Sequence, residues 1–149
     1  MKSEFARVPG WRLAGVLLAV CIGTIEMNAK TETTAVKTET LLSATSAWDG
    51  SPYAAYPTGS PQITVRRMTI PAHGELAWHK HPMPSAAYIV SGDITVEDKS
   101  GRQHHFNAGD VIPETVNTWH RGTVGNQPAV FIVFYAGVKD MPLSRELPK

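Results

Sequence analysis

An all-β sandwich or barrel follows from three features of this 149-residue chain. From Gln62 onward, short runs rich in Ile, Val, Thr and aromatic residues succeed one another at close spacing. Gly, Pro, Asp and Asn punctuate them as turn signals. No stretch of this body carries the helical period of an amphipathic helix, and no long internal repeat stands out.

The N-terminus comes first and reads differently. Lys2, Arg7 and Arg12 form a basic leader, and Leu13 to Ile25 is an apolar run of thirteen residues. That is short for a membrane span but suits the core of a signal peptide. Residues 1–29 are expected to be a signal peptide, with an uncleaved membrane leader as the alternative. Met27 is a poor residue for the position before cleavage at Ala29. Export, to the periplasm in a bacterium, is the expected localisation, and any membrane contact runs through the leader alone. Cys21, the only cysteine, lies within the apolar run. Leu18 to Cys21 loosely resembles a lipoprotein box, but Val20 is large where a small residue is usual. Without the leader the chain has no cysteine, so an oxidising compartment poses it no redox problem.

Residues 30–47, Thr-rich with scattered charges, read as a linker, with Leu41 and Leu42 as the first side chains expected to dock. The domain proper is expected over 48–149. It opens with an aromatic arm, Trp48 to Tyr56, whose rings call for burial against the barrel or a second subunit. A homodimer exchanging this arm is one expectation.

The strands follow. Ile63–Ile70 is closed by Pro71 to Gly74, and Glu75–His81 by Pro82 and Pro84. Ala86–Val90 leads into the tight turn Ser91-Gly92-Asp93. Ile94–Glu97 ends at Asp98 to Gly101, and Gln103–Phe106 at Asn107 to Asp110. Val111–Thr115, Thr118–Arg121 and Ala129–Tyr135 complete the set.

Charge is sparse and balanced, at a formal net +1. No basic stripe argues for nucleic acid, and no acidic tail for a solvating segment. A small-molecule ligand or substrate is the expected partner.

The chemistry is concentrated in "AWHKHP". On a strand, residues i and i+2 share a face, so His79 and His81 project together, about 6–7 Å apart at Cα. Such a pair suits one metal ion, or is merely an exposed polar pair. His120 in "NTWHRG" is the candidate third ligand, brought across a small barrel from a distant strand. His73 sits in a Pro/Gly turn and reads as surface. His104 and His105 are adjacent, face opposite sides, and read as solvent-facing.

Together these pieces resemble the cupins. Gly74, His79-Lys80-His81 and Gly92 follow the first cupin motif, with four residues after the first Gly where five are usual. Gly109-Asp110 and His120 follow the layout of the second. The match covers Gln62 to Tyr135, and "VFIVFYAG" resembles the last strand of small single-domain cupins. "WDGSPYAAYPTGSPQITV" and "HKHP" resemble a group of exported bacterial cupins. The resemblance implies a double-stranded β-helix, a jelly-roll barrel with one divalent transition metal (Fe, Mn, Zn, Ni or Cu) on His79, His81 and His120. It also implies oxygenase, isomerase or decarboxylase chemistry on a small organic molecule. A non-catalytic small-ligand or metal-binding cupin is the alternative.

Two departures stand out. The Glu that completes the first motif is absent: its place falls on Ser85, and no acid lies between Lys80 and Ser91. Thr115 and Asn117 replace the Pro and Gly usual before the second-motif His. Glu114, in "VIPETV", is the candidate to fill the first gap, as metal ligand or as catalytic base. A carboxylate in an apolar strand is costly unless paired or metal-bound. By alternation it shares a face with Ile112, inward or outward. Trp78, Met83, Tyr88 and Trp119 are candidates for the pocket wall, with ordinary packing as the competing reading. Alternation already turns Trp78 and Trp119 away from their neighbouring His.

Overall fold

The computed structural model describes residues 35–148, and the leader lies outside them. Among the described residues there are nine strands and no helix. In chain order they are β1 (Pro61–Ile70), β2 (His79–Lys80), β3 (Ser85–Ser91), β4 (Asp93–Asp98), β5 (Gln103–Asn107), β6 (Val111–Pro113), β7 (His120–Val124), β8 (Ala129–Val138) and β9 (Arg145–Glu146). They form two antiparallel sheets, one ordered β1-β8-β3-β6 and the other β5-β4-β7-β2-β9.

Alternation explains both layers. Along β8, Ala129, Phe131, Val133 and Tyr135 are buried while their neighbours face outward. On β3 the buried set is Ser85, Ala87 and Ile89; on β4 it is Ile94, Val96 and Asp98. On β7 it is His120, Gly122 and Val124, so this strand carries an imidazole on its inward face. Gly122 is small for a reason: a Cβ there would lie 2.5 Å from Ile94 Cδ1. The β3–β4 turn needs glycine twice over. Gly92 has φ +76°, and a Cβ would meet the Pro128 carbonyl at 2.6 Å.

Several boundaries differ from the sequence reading. The run from Glu75 contributes an isolated bridge to Thr123 and then the two-residue β2. β6 ends at Pro113 and β7 begins at His120, leaving a loop that carries Glu114 and Thr115, both buried. β9 was not expected; it pairs with β2 through His79↔Glu146 and Lys80↔Arg145.

The N-terminal arm packs on its own barrel. Trp48 N donates to Pro113 O at 2.9 Å, Tyr53 Oη to Glu114 O at 2.9 Å, and Arg102 to the Asp49 carbonyl. Trp48 packs against the core, whereas Tyr56 stays exposed. Burial and the neighbouring Glu114 and Asp49 push the Tyr53 phenol up to about 12, which keeps it a donor. Leu41 is exposed and does not dock, whereas Leu42, also largely exposed, lines a groove with Tyr53, Ala86 and Phe134.

Candidate metal centre

Three strand-borne or loop-borne imidazoles meet inside the barrel. His79 of β2 is the register partner of His120 of β7, so the two stand side by side across one sheet. His81 follows two residues after His79 and is held by a bridge to Val116. Ring centroids are 4.4 Å apart for His79–His120, 5.0 Å for His79–His81 and 5.3 Å for His81–His120. One nitrogen from each lies within 4.8 Å of the others, so the three could hold one metal ion.

Their orientation is set from behind. His79 Nδ1 lies 2.7 Å from Ala77 O, His81 Nδ1 2.7 Å from Leu143 O, and His120 Nδ1 3.0 Å from Thr118 O. A carbonyl oxygen can only accept, so each Nδ1 carries the proton and donates. In their neutral form the rings then present three Nε2 lone pairs, the tautomer a metal requires. Thr115, fully buried, adds its hydroxyl 2.9 Å from His120 Nδ1.

Glu114 points inward with Ile112, and both line the same cavity. Its Oε2 stands 3.3 Å from His120 Nε2, and neither atom has a hydrogen-bond partner of adequate geometry. Two lone pairs cannot face each other in a buried site without a positive charge between them, a proton or a metal ion. Without metal the proton serves. Burial opposes charge on both groups, yet the contact with His120 holds the Glu114 carboxyl below its ordinary value. The same contact lifts His120 above its own against the effect of burial. His79 moves down, through burial and then the charge of His120.

Ser85 explains how the carboxylate gets there. Ser85 occupies the place of the missing first-motif Glu, inward-facing and buried, with its Oγ unpartnered. Glu114 N donates to Ser85 O at 3.0 Å, so Glu114 continues the β3–β6 pairing directly beside Ser85. Glu114 and Ser85 thus lie side by side, both buried. Asn117 resolves the other departure. It adopts φ +58°, the left-handed conformation glycine would supply, and its N–H donates to His81 O at 2.8 Å.

The remaining expectations divide. His73 is exposed, and so are His104 and His105. None of the four proposed wall residues lines the cavity. Trp78 and Trp119 lie beneath cations, with Lys99 Nζ 3.6 Å from the Trp78 ring and Lys80 Nζ 4.8 Å from that of Trp119. Tyr88 is on the outward face of β3, and Met83 is packed in the core beside Gly137. The wall is instead aliphatic and aromatic from the inward faces of β1, β4 and β8: Met68, Ile94, Val96, Phe131 and Val133. Tyr135, its ring centroid 5.6 Å from that of His81, and Arg66 add polar groups. The cavity volume is about 200 Å³. Thr115, Tyr135, Arg66 and the Leu143 carbonyl escaped the sequence reading. Only the period of β8, which puts Tyr135 in phase with Phe131 and Val133, offered a signal.

Residues 66–135 match the family model described as cupin domain. No curated protein matches the chain. Among solved structures, a cupin-like protein from Thermotoga maritima is 14% identical with a TM-score of 0.50, covering 58% of this chain and 65% of its own. A conserved protein with a double-stranded β-helix domain from Klebsiella pneumoniae is 20% identical with a TM-score of 0.50, over 65% of this chain and 92% of its own. The polyketide cyclase RemF from Streptomyces resistomycificus is 17% identical with a TM-score of 0.50, over 61% of this chain and 63% of its own. The chain thus spans just under two thirds of the first and third of these, and at such identities the likeness concerns the fold. Family model, sheet order and double-stranded β-helix neighbours agree: residues 66–135 of this chain form a cupin domain.

Proposed function

We propose that the domain is a metal-dependent cupin enzyme acting on a small organic molecule, with His79, His81 and His120 as ligands through Nε2. The observation that carries the reading is that all three Nδ1 atoms are committed to carbonyl oxygens, which leaves three lone pairs converging beside the unpartnered Glu114 Oε2. A bound divalent transition ion supplies Lewis acidity toward an oxygen-bearing ligand. The residues of this chain do the rest. Glu114 completes the donor set or, left uncoordinated, takes a proton from the substrate at Oε2. The apolar wall excludes water and orients the ligand's carbon skeleton. Oxygenase, isomerase and decarboxylase chemistry all fit such a centre, and the polyketide cyclase among the fold neighbours is itself named as an enzyme.

A second reading, a small-ligand or metal-binding cupin without turnover, is favoured by one observation. Glu114 is the one buried carboxylate lining the cavity, so committing it to the metal leaves no second buried base. Export to the periplasm belongs to the same proposal and is supported by the basic, apolar N-terminus. So does a homodimer, supported by the row of Val65, Phe134 and Ala86 across the outer face of the four-stranded sheet. Light scattering checks the dimer.

Elemental analysis of wild type, His79→Ala, His120→Ala and Glu114→Ala tests the centre. Near-stoichiometric metal in wild type, lost in both His variants, is the expected result. Retention of metal by Glu114→Ala with loss of turnover identifies a base; loss of metal identifies a ligand. A wild-type protein that takes up none of Fe, Mn, Zn, Ni or Cu sinks the proposal.

A further inference from the structure

Arg66 is exposed, but it is in phase on β1 with the partly buried Met68 and the buried Ile70 and lines the cavity with Met68. Its register partner is Val133 of β8, which lines the cavity with it. Apart from the three imidazoles, Arg66 is the only cationic side chain lining that cavity, and among the described residues it forms no ion pair. Tyr135 lines the same cavity, its ring beside that of His81; burial and then Glu114 raise its phenol, and Arg66 offsets part of that rise. Glu114, the imidazoles, Tyr135 and Arg66 all line this cavity, and so does the exposed Glu146, the register partner of His79. The rest of the wall is mostly apolar.

We propose that this cavity selects small monocarboxylic acids, the carboxylate held by the Arg66 guanidinium with the Tyr135 hydroxyl beside it, and the carbon skeleton laid along Met68, Phe131 and Val133 toward the imidazoles. The planar fork of arginine donates two parallel N–H bonds to a carboxylate, a geometry that an amide, with a single acceptor oxygen and no charge, cannot match. The volume of about 200 Å³ restricts the acid to a few carbons or one ring. Glu114 and Glu146 disfavour a second carboxylate in the same cavity. The proposal deepens the enzyme reading, since it names the substrate class of the same cavity. Arg66 acts as a specificity residue and takes no part in holding the metal.

The test measures binding of butyrate and benzoate against their neutral counterparts butyramide and benzamide. It uses the full chain, metal-free and metal-loaded, as wild type, Arg66→Gln and Arg66→Lys. Wild type is expected to prefer each acid over its amide by about tenfold or more. Arg66→Gln abolishes that preference, Arg66→Lys restores part of it, and metal content is equal in all three. Equal affinity for acid and amide in wild type overturns the proposal, as does an undiminished preference in Arg66→Gln, or no binding of either acid at millimolar concentration. Failure of the metal centre is recognised separately: it leaves wild type without metal, while acid selection by Arg66 stays measurable on the metal-free protein.

Discussion

Thr115 is the residue on which the orientation of His120 most depends. Its hydroxyl stands 2.9 Å from Nδ1 in a fully buried position, and it also reaches the Thr118 carbonyl at 3.3 Å. Thr115→Val preserves the shape and removes the hydroxyl. Groups behind metal-ligating histidines typically govern affinity by 10–100-fold; because Thr118 O still accepts here, about tenfold weaker metal binding is expected. Competition with a chelator measures it, and unchanged affinity would reduce Thr115 to packing. Asn117 offers a paired case. Asn117→Gly keeps φ +58° accessible and leaves stability nearly unchanged, whereas Asn117→Val forces a β-branched residue into the left-handed region and costs about 1–2 kcal/mol. Denaturant midpoints of the two variants decide this, and equal midpoints would refute it. Legibility at this scale was uneven, for a physical reason. His79 and His81 share a face because strand period is two, and that can be read without a structure. Glu114 was legible as a candidate for the empty place at Ser85, but whether it faces inward depends on which segments are neighbours, and the pairing beside Ser85 turns it inward.

At the scale of elements, β1, β3, β4 and β8 appear within a residue or two of their expected ends, except that β8 runs on to Val138. β2 and β9 have two residues each and owe their existence to pairing with a neighbour, which no local pattern encodes. The β4–β5 turn shows how a short element is held. Asp98 is 3% exposed and accepts from Ser100 N at 2.8 Å, Ser100 Oγ at 2.5 Å and Arg102 N at 3.1 Å, with Arg102 Nε at 3.1 Å from its other oxygen. Burial would raise this carboxyl, but these donors outweigh it and hold it below the ordinary value. A carboxyl depressed in the folded state contributes stability above its unfolded value, near pH 4, and loses it as pH falls through the folded value. Asp98→Asn is thus expected to cost about 1–3 kcal/mol at neutral pH, with the gap to wild type narrowing below about pH 4. Urea unfolding at both pH values measures it. A gap independent of pH would show that charge at Asp98 contributes nothing.

For the whole molecule, the telling feature is where the candidate ligands come from. His79 and His120 belong to β2 and β7 of the five-stranded sheet, and His81 to the turn directly after β2. Glu114 follows β6, at the edge of the four-stranded sheet. An ion held by all four would tie the two layers together beside the His120–Glu114 and His81–Tyr135 contacts. Whatever binds the folded state alone stabilises it by mass action, about 2.7 kcal/mol at a hundredfold excess over Kd. In a domain near this size that raises Tm by roughly 10 °C or more. Wild type should show this rise with a metal it binds, and lose it with chelator. His120→Ala should show almost none, since it removes both a ligand and the partner of Glu114. Glu114→Ala separates the two roles of the carboxylate. If Glu114 ties the layers together through the ion, the variant's metal-induced rise shrinks even at saturating metal. If it stands free as a base, the rise is retained in full and only turnover falls. Calorimetry on the three proteins, with and without metal, distinguishes these outcomes, and a wild-type Tm indifferent to every transition metal tried would remove the ion from the account of the fold.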